Sequence, residues 1–499
     1  MPATEKDGLF TLIRSMDKNE KGYFKKFAGL NGQKTNSVYL RLFDCMNRME
    51  TYNLAVIKEE FKGEKVLKHL TVSKFYLKNL VMRALRNFHE EGMHENYYLR
   101  AIQDINLLRG KGKVEWAFSV AEKALDRAML EESFAYALIL FRHYHVLYTQ
   151  TGRGSLNIKR LAEEQQVIAQ IENEAVYRHL LQQLVQIIYD EQHTLQQKTT
   201  RDKLQAIINH PYLKDDKKAL SKRTRFLSLH LKTLYYTQIE DDFKQSEKYF
   251  KAAIAFYKSN EAPLRQLELT FNQLNISFIN FYTSNSKFDE AWVLLNEFEH
   301  RILTSQSLQP LLAGKVRELI INARIQNLVE SAQYKKAIEY ANTVLTKQKH
   351  VLQGAAYYIQ FNFDFWLALS HWHTGDLKNA LQLSSALLEK DTNLSVGIPV
   401  CNKFLYLLIQ YDMGNYPTLA NFISRHKRWL KQMKLQNELS DKFAAMMLAL
   451  CKSGKEKAQT LKVFRTYENA FEPTNNDQHL VYSTLKLPAW IKQKKGKPL

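Results

Sequence analysis

Glycine and proline are scarce: 17 and 9 residues in a chain of 499, against usual shares of roughly 7% and 5%. Parallel sheets, β-hairpins and glycine-rich phosphate loops all consume glycine, so the shortage disfavours them and points to helices joined by short turns. No run of alternating β-branched residues is evident, and the apolar spacing is helical nearly throughout. Cysteine is scarcer still. Cys45, Cys401 and Cys451 are odd in number and far apart, which argues against a disulfide framework and fits a reducing compartment. No window approaches 18 apolar residues, and the N-terminus MPATEKDGLFTLIRSMDKNEK has neither an apolar stretch nor a cleavage site. A cytoplasmic protein without a transmembrane segment is expected.

Hydrophobic residues make up 45% of the chain, enough for a packed interior. A single compact core stops growing near 250–300 residues, so several domains or a solenoid packing neighbour on neighbour are expected. Net charge is +20, and half of it lies in residues 401–499, which carry +10. Such a bias speaks to acidic partners rather than to fold.

Residues 9–90 read as a separate helical unit of five short amphipathic segments. The last and longest, TVSKFYLKNLVMRALRNF, is basic, with Thr71 or Ser73 as its expected N-cap. As a helix-turn-helix variant it lacks convincing turn chemistry. From about residue 96 a different signature recurs: a turn, a bulky residue, two polar residues, then a small one. It reads GKVEWAFSVAEKAL at 112–125, SKFDEAWVLLNEF at 286–298, AQYKKAIEYANTV at 332–344 and GDLKNALQLSSAL at 375–387. Weaker copies are DDFKQSEKYFKAA at 241–253 and GNYPTLANFI at 414–423. Alanines 117, 291, 337 and 380 allow close helix approach, and the bulky residue three before each plugs the turn. Prolines 211, 263, 310 and 399 fall between helical segments as punctuation.

This pattern resembles the tetratricopeptide repeat family, Gly375, Asp376, Leu377 and Ala380 being the nearest match. The positions of Ser246, Ala291, Ala337 and Ala380 are spaced 45, 46 and 43 residues apart, longer than the family's usual 34. The expected fold is therefore all-α: an N-terminal helical bundle (1–95), a tetratricopeptide-like helical-hairpin solenoid (96–470, its register unclear over 126–240) and a basic C-terminal tail (471–499).

Searches for catalytic chemistry find no Walker loop, dinucleotide fingerprint or nucleophile elbow. RGKGK at 109–113 lacks the phosphate-loop frame. In FHEEGMHE at 88–95, His89 and His94 are five apart and cannot share the helix face that a zinc site at i, i+4 requires. His143/His145 and His371/His373, two apart, point to opposite sides of a helix. No cysteine has a ligand partner at metal spacing. No enzyme activity, cofactor or metal is expected.

In solenoids of this family the first helix of each pair lines the concave face. Setting the alanines in register places Gln273, Asn280, Asn322, Gln326 and Asn362 near it, with Trp366 and Trp372 close by. Amides donate and accept, and so can grip an extended peptide backbone. A peptide or protein partner held in this groove by a non-catalytic scaffold is the leading expectation. The alternative is a nucleic-acid-associated or regulatory protein using the N-terminal unit and a basic surface of Arg425, Lys427, Arg428, Lys431 and Lys434, continued by the tail lysines. An enzyme of unrecognised type is the second alternative.

Overall fold

The computed structural model describes residues 5–30, 34–89, 94–155, 157–190, 198–237, 242–304, 310–348, 351–352, 355–390, 398–433, 436–454, 456–471 and 484–496. Among the described residues the chain is all-α, with no strand. It divides into two compact units, residues 1–228 with 260–265, and 229–259 with 266–499.

The first unit begins with α1 (Glu5–Ser15), α2 (Lys18–Leu30), α3 (Lys34–Arg48), α4 (Leu54–Glu60), α5 (Lys65–Lys68) and α6 (Leu70–Phe88). Here α2 packs on α3 and α6, and α3 on α1, α4 and α6. Leu9, Ile13, Phe24, Phe43, Met46, Ile57, Leu77 and Val81 form their shared core. Helix α6 starts after His69, so Thr71 and Ser73 lie inside its first turn rather than capping it. The reason is tertiary: Ser73 faces the buried side, and its N–H already bonds the His69 carbonyl.

Then follow α7 (His94–Gly110), α8 (Val114–Leu130), α9 (Phe134–Gln150), α10 (Ile158–Asp190), α11 (Lys198–Ile208), α12 (Pro211–Lys214) and the start of α13 (Lys222–Tyr235). They pack consecutively from α7 to α11, and α7–α10 share a second core, including Tyr98, Ala117, Leu125, Phe141 and Val167. The unit boundary falls inside α13. The second unit continues with α14 (Phe243–Lys258), α16 (Glu268–Ser284), α17 (Phe288–Thr304), α18 (Pro310–Glu330), α19 (Tyr334–Lys347), α20 (Tyr357–His373), α21 (Leu377–Lys390), α22 (Ile398–Asp412), α23 (Tyr416–Gln432), α24 (Glu438–Ser453), α25 (Lys457–Tyr467) and α26 (Leu487–Gly496), the one-turn α15 (Glu261–Leu264) being counted with the first. Each helix packs on its successor from α16 to α24, and α16 on α18, α18 on α20 and α20 on α22 as well. Pro211, Pro310 and Pro399 sit in first helical turns, where a missing N–H costs nothing.

One turn recurs. Gly112, Glu132, Ser286, Ala332, Gly375 and Gly414 all have positive φ, between 50° and 84°. The N–H of the next residue reaches back to the carbonyl five before the turn residue's own successor: Lys113 to Leu108, Ser133 to Ala128, Lys287 to Tyr282, Gln333 to Leu328, Asp376 to His371 and Asn415 to Gln410, all within 2.8–3.1 Å. This is the Schellman closure, which satisfies the last carbonyls of one helix and starts the next. Five residues after the turn residue stand Ala117, Ala137, Ala291, Ala337, Ala380 and Leu419, every one fully buried. The expected signature thus marks a real junction. It also extends into 126–240, where Glu131–Ser133 and Ala137 carry it without a glycine.

Glu132 occupies that turn for a non-local reason. Its carboxylate accepts from the Lys222 and Arg223 N–H groups at 3.0 and 3.1 Å, capping the positive end of α13. Beside it Arg223 grips Glu174 of α10 through two bonds of 2.9 and 3.0 Å, both side chains being buried. Burial pushes the Glu174 carboxyl up, but Arg223 and Arg178 outweigh it and hold the group below the usual carboxylate range.

Candidate interaction surfaces

The expected amide row is distributed over α16, α18 and α20 of the second unit. Gln273 is exposed on α16, while Asn280 of α16, Asn322 and Gln326 of α18 and Asn362 of α20 are half-buried. The Oδ1 atoms of Asn280 and Asn322 are buried with no hydrogen-bond partner among the described residues. Asn272, also on α16, is fully buried, and neither amide atom has a partner among the described residues. Buried polar groups normally find partners, since leaving one unmade costs about 1–3 kcal/mol. Their neighbour Asn327 behaves in the ordinary way, donating to Thr283 Oγ1 at 3.1 Å and tying α18 to α16. Amide side chains on these helices thus differ in whether they find a described partner, and spacing alone does not separate them.

Trp366 and Trp372 do not flank an open face. They are 2% and 4% exposed, part of the core around α20. What covers Trp372 is the C-terminal segment. Its Nε1 donates to Asp412 Oδ2 at 2.8 Å, and Trp490 of α26 donates to the same oxygen at 3.2 Å. Lys494 Nζ lies 2.9 Å from Asp412 Oδ1. The Trp490 ring meets Tyr411, Phe464 and Trp372 at centroid distances of 5.7, 5.5 and 6.3 Å.

Residues 484–496 of the expected basic tail are thus a docked segment. Leu485, Leu487, Trp490 and Ile491 are buried, and the lysines have acidic partners: Lys486 with Glu330 at 3.0 Å and Lys495 with Glu468 at 2.6 Å, besides Lys494. Burial raises the Glu330 carboxyl above its ordinary value, with Lys486 opposing the shift. Beside it His373, stacked on Tyr334 at 4.2 Å, is pushed down to about 4 by burial and by the Lys486 charge. The sequence signal for this segment was its apolar spacing, Leu485, Leu487, Trp490 and Ile491, which the run of lysines obscured.

The basic helix is placed as its periodicity predicts. Arg425, Lys427, Arg428 and Lys431 are exposed on α23, while Ile423, His426 and Leu430 are buried beneath. Lys427 lies 3.6 Å from Asp441. Lys434 lies outside the described residues. Trp429 is half-buried and covered by Lys403, whose Nζ stands 4.6 Å from the ring centroid, so this face carries charge without a free ring.

Three of the histidines singled out by sequence have acidic partners within the chain. His89 Nε2 stands 2.7 Å from Glu20, His145 Nε2 3.0 Å from Glu164 and His371 Nδ1 2.9 Å from Asp376. Among the described residues no group of three or more His, Cys, Asp or Glu side chains converges as a metal site. An open hollow beside α10 and α11, lined by Leu180, Gln183, Gln186, Lys203 and His210, holds two amides, a lysine and a histidine but no hydroxyl, thiol or carboxylate side chain. No described helix is long and apolar enough to cross a membrane. Comparison with models of protein families, with curated proteins and with solved structures finds no match to this chain.

Proposed function

We propose that the chain is a non-catalytic interaction scaffold whose helical hairpins form a tetratricopeptide-like solenoid and hold a peptide or protein partner in its concave groove. The observation that carries this reading is the recurring Schellman turn with its buried alanine, which supports a repeat of helical hairpins. The amide row would supply the contact: Gln273 is exposed and Asn280, Asn322, Gln326 and Asn362 are half-buried, and their accessible amide atoms can meet a partner's backbone. A cytoplasmic location fits the three free thiols, two of which, Cys45 and Cys401, are pushed by burial up to about 12 and are poor nucleophiles.

The test is affinity purification from the native cell with mass spectrometry, comparing wild type with Asn280→Ala/Asn322→Ala. Neither side-chain oxygen bonds a described residue, so the double variant is expected to keep its fold, checked by circular dichroism. A partner recovered by wild type is expected to drop at least tenfold with the variant, which corresponds to about 1.4 kcal/mol of lost contact. Equal recovery of every partner would sink the groove reading. The second reading, a nucleic-acid-associated or regulatory protein, is favoured by the exposed Arg425, Arg428 and Lys431, which make no ion pair with a described residue.

A further inference from the structure

The largest exposed side chains of the N-terminal bundle lie on one helix. On α6, Phe75 is 62% exposed, Tyr76 56% and Val72 51%. Tyr76 meets only the edge of this bundle, its ring 6.4 Å from that of Tyr39 on α3, and a helix face with this much exposed apolar surface marks a contact surface. At 100° per residue, Val72, Phe75, Asn79 and Arg86 fall on one stripe. Lys78 flanks it on one side and Tyr76 with Arg83 on the other. Asn79, Lys78, Arg83 and Arg86 are exposed, and the three cations make no ion pair with a described residue.

The surrounding charge selects the partner. From Lys65 to His89 the chain carries six Lys or Arg residues and no Asp or Glu. A second copy of this face would bring like charge against like. An apolar partner surface would leave the cations unmatched. Bases and phosphates answer both features at once: unpaired bases stack on exposed rings whatever their identity, and the backbone phosphates take the flanking cations. Asn79 adds a donor and an acceptor within the same stripe, suited to a base edge. A duplex, whose bases are already stacked on each other, leaves Phe75 and Tyr76 without that contact.

We propose that the outer face of α6 is a binding surface for single-stranded nucleic acid, with Phe75 and Tyr76 as stacking platforms and Lys78, Arg83 and Arg86 as phosphate contacts. This goes beyond the scaffold reading and does not depend on the groove. The other basic helix, α23, serves as an internal comparison, because it has the charge without the rings.

The experiment is a fluorescence-anisotropy titration of the full chain with labelled mixed-sequence 20-nucleotide single-stranded DNA, single-stranded RNA and duplex DNA, repeated at several salt concentrations. A single strand, DNA or RNA, is expected to bind more tightly than the duplex. Phe75→Ala and Tyr76→Ala should each weaken it about tenfold, the scale of one lost stacking contact. Arg83→Gln/Arg86→Gln should reduce the slope of log affinity against log salt by about 1.4, the share of two phosphates on a single strand. All four side chains are exposed, and circular dichroism checks that each variant stays folded. The proposal is overturned by an absence of binding at low salt, by duplex binding as tight as single-strand binding, or by affinity that is indifferent to the α6 changes and lost on Arg425→Gln/Arg428→Gln/Lys431→Gln. Indifference of both helices, with an acidic protein recovered on α6 instead, would assign the face to protein and refute it equally.

Discussion

Replacing Trp490 by alanine tests whether the C-terminal segment is held as the structure shows. The indole is 4% exposed, touches three aromatic rings, and shares one carboxylate oxygen of Asp412 with Trp372. Truncating a core tryptophan costs about 3–5 kcal/mol, part of it lost transfer energy and part the cavity left behind. Helix α26 has only 10 residues, below the length at which an isolated helix is stable in water, so its protection from hydrogen exchange depends on docking. A loss of about 3 kcal/mol converts to roughly a 150-fold rise in local opening. Hydrogen exchange read by mass spectrometry should therefore accelerate by two orders of magnitude over residues 487–496. Exchange in α16 and α17 should stay as it was, because no contact with either helix is disturbed. Trp490→Phe keeps most of the apolar surface and loses the bond to Asp412, which still has Trp372 and Lys494. It should cost about 1 kcal/mol for that bond, or about fivefold. Exchange over 487–496 that stays within twofold of wild type in Trp490→Ala would show that the segment is not anchored through this ring.

The recurring turn makes a second prediction: Gly375→Ala, at φ 84°, should lower stability by about 1 kcal/mol, whereas Ala332→Gly, at φ 60°, should raise it by several tenths. Thermal melts compare the two, and a lower midpoint in Ala332→Gly would contradict the left-handed turn. The third concerns His426, buried between Phe404 at 4.5 Å and Trp429 at 5.9 Å, and pushed down to about 3 by burial and by Lys403. The unfolded ring titrates near 6.5, so its neutral form contributes full stability above that pH. The contribution is lost as pH falls from about 6.5 toward 3, where only the unfolded chain takes the proton. Urea unfolding across this window should show a shallower fall for His426→Leu, by up to about 1.4 kcal/mol per pH unit, and equal slopes would refute the assignment.

The alanines at 117, 291, 337 and 380 were legible because their role is local. A small residue four positions into a helix, just after a turn, follows from chain geometry whatever the neighbours are. Ala137 follows the same rule and was missed, because Ala135 and Tyr136 stand where the signature asks for two polar residues. What its turn residue Glu132 holds, the N-terminus of α13, lies 90 residues away, and no local pattern reports it. The tryptophans failed for a related cause. Periodicity places Trp366 and Trp372 on a first helix, but whether that face meets solvent depends on what the rest of the chain lays over it. For Trp372 the covering element is 484–496, more than a hundred residues later, and its charge count suggested a solvated tail. Asn322 of the amide row and its neighbour Asn327 are both asparagines of α18. Asn327 holds Thr283, and Asn322 has a buried oxygen without a partner among the described residues. Only tertiary context separates the two.

Net charge illustrates the same limit with a functional consequence. The +10 of residues 401–499 drew attention to the C-terminal fifth, yet Lys427, Lys494 and Lys495 there each have an acidic partner, and Lys486 is held by Glu330. These lysines compensate carboxylates of the fold and are not available to a phosphate backbone without breaking internal pairs. Glu330 makes the point most sharply, because a buried carboxylate that loses its cation is costly. The N-terminal hundred residues carry only +6, but their cations on α6 face solvent, have no described acid opposite them, and stand beside two exposed rings. A partner responds to free, oriented charge with something to stack on, not to a sum over a sequence. By that measure α6 outranks the more basic C-terminal region, and it is the face on which nucleic-acid affinity should be sought.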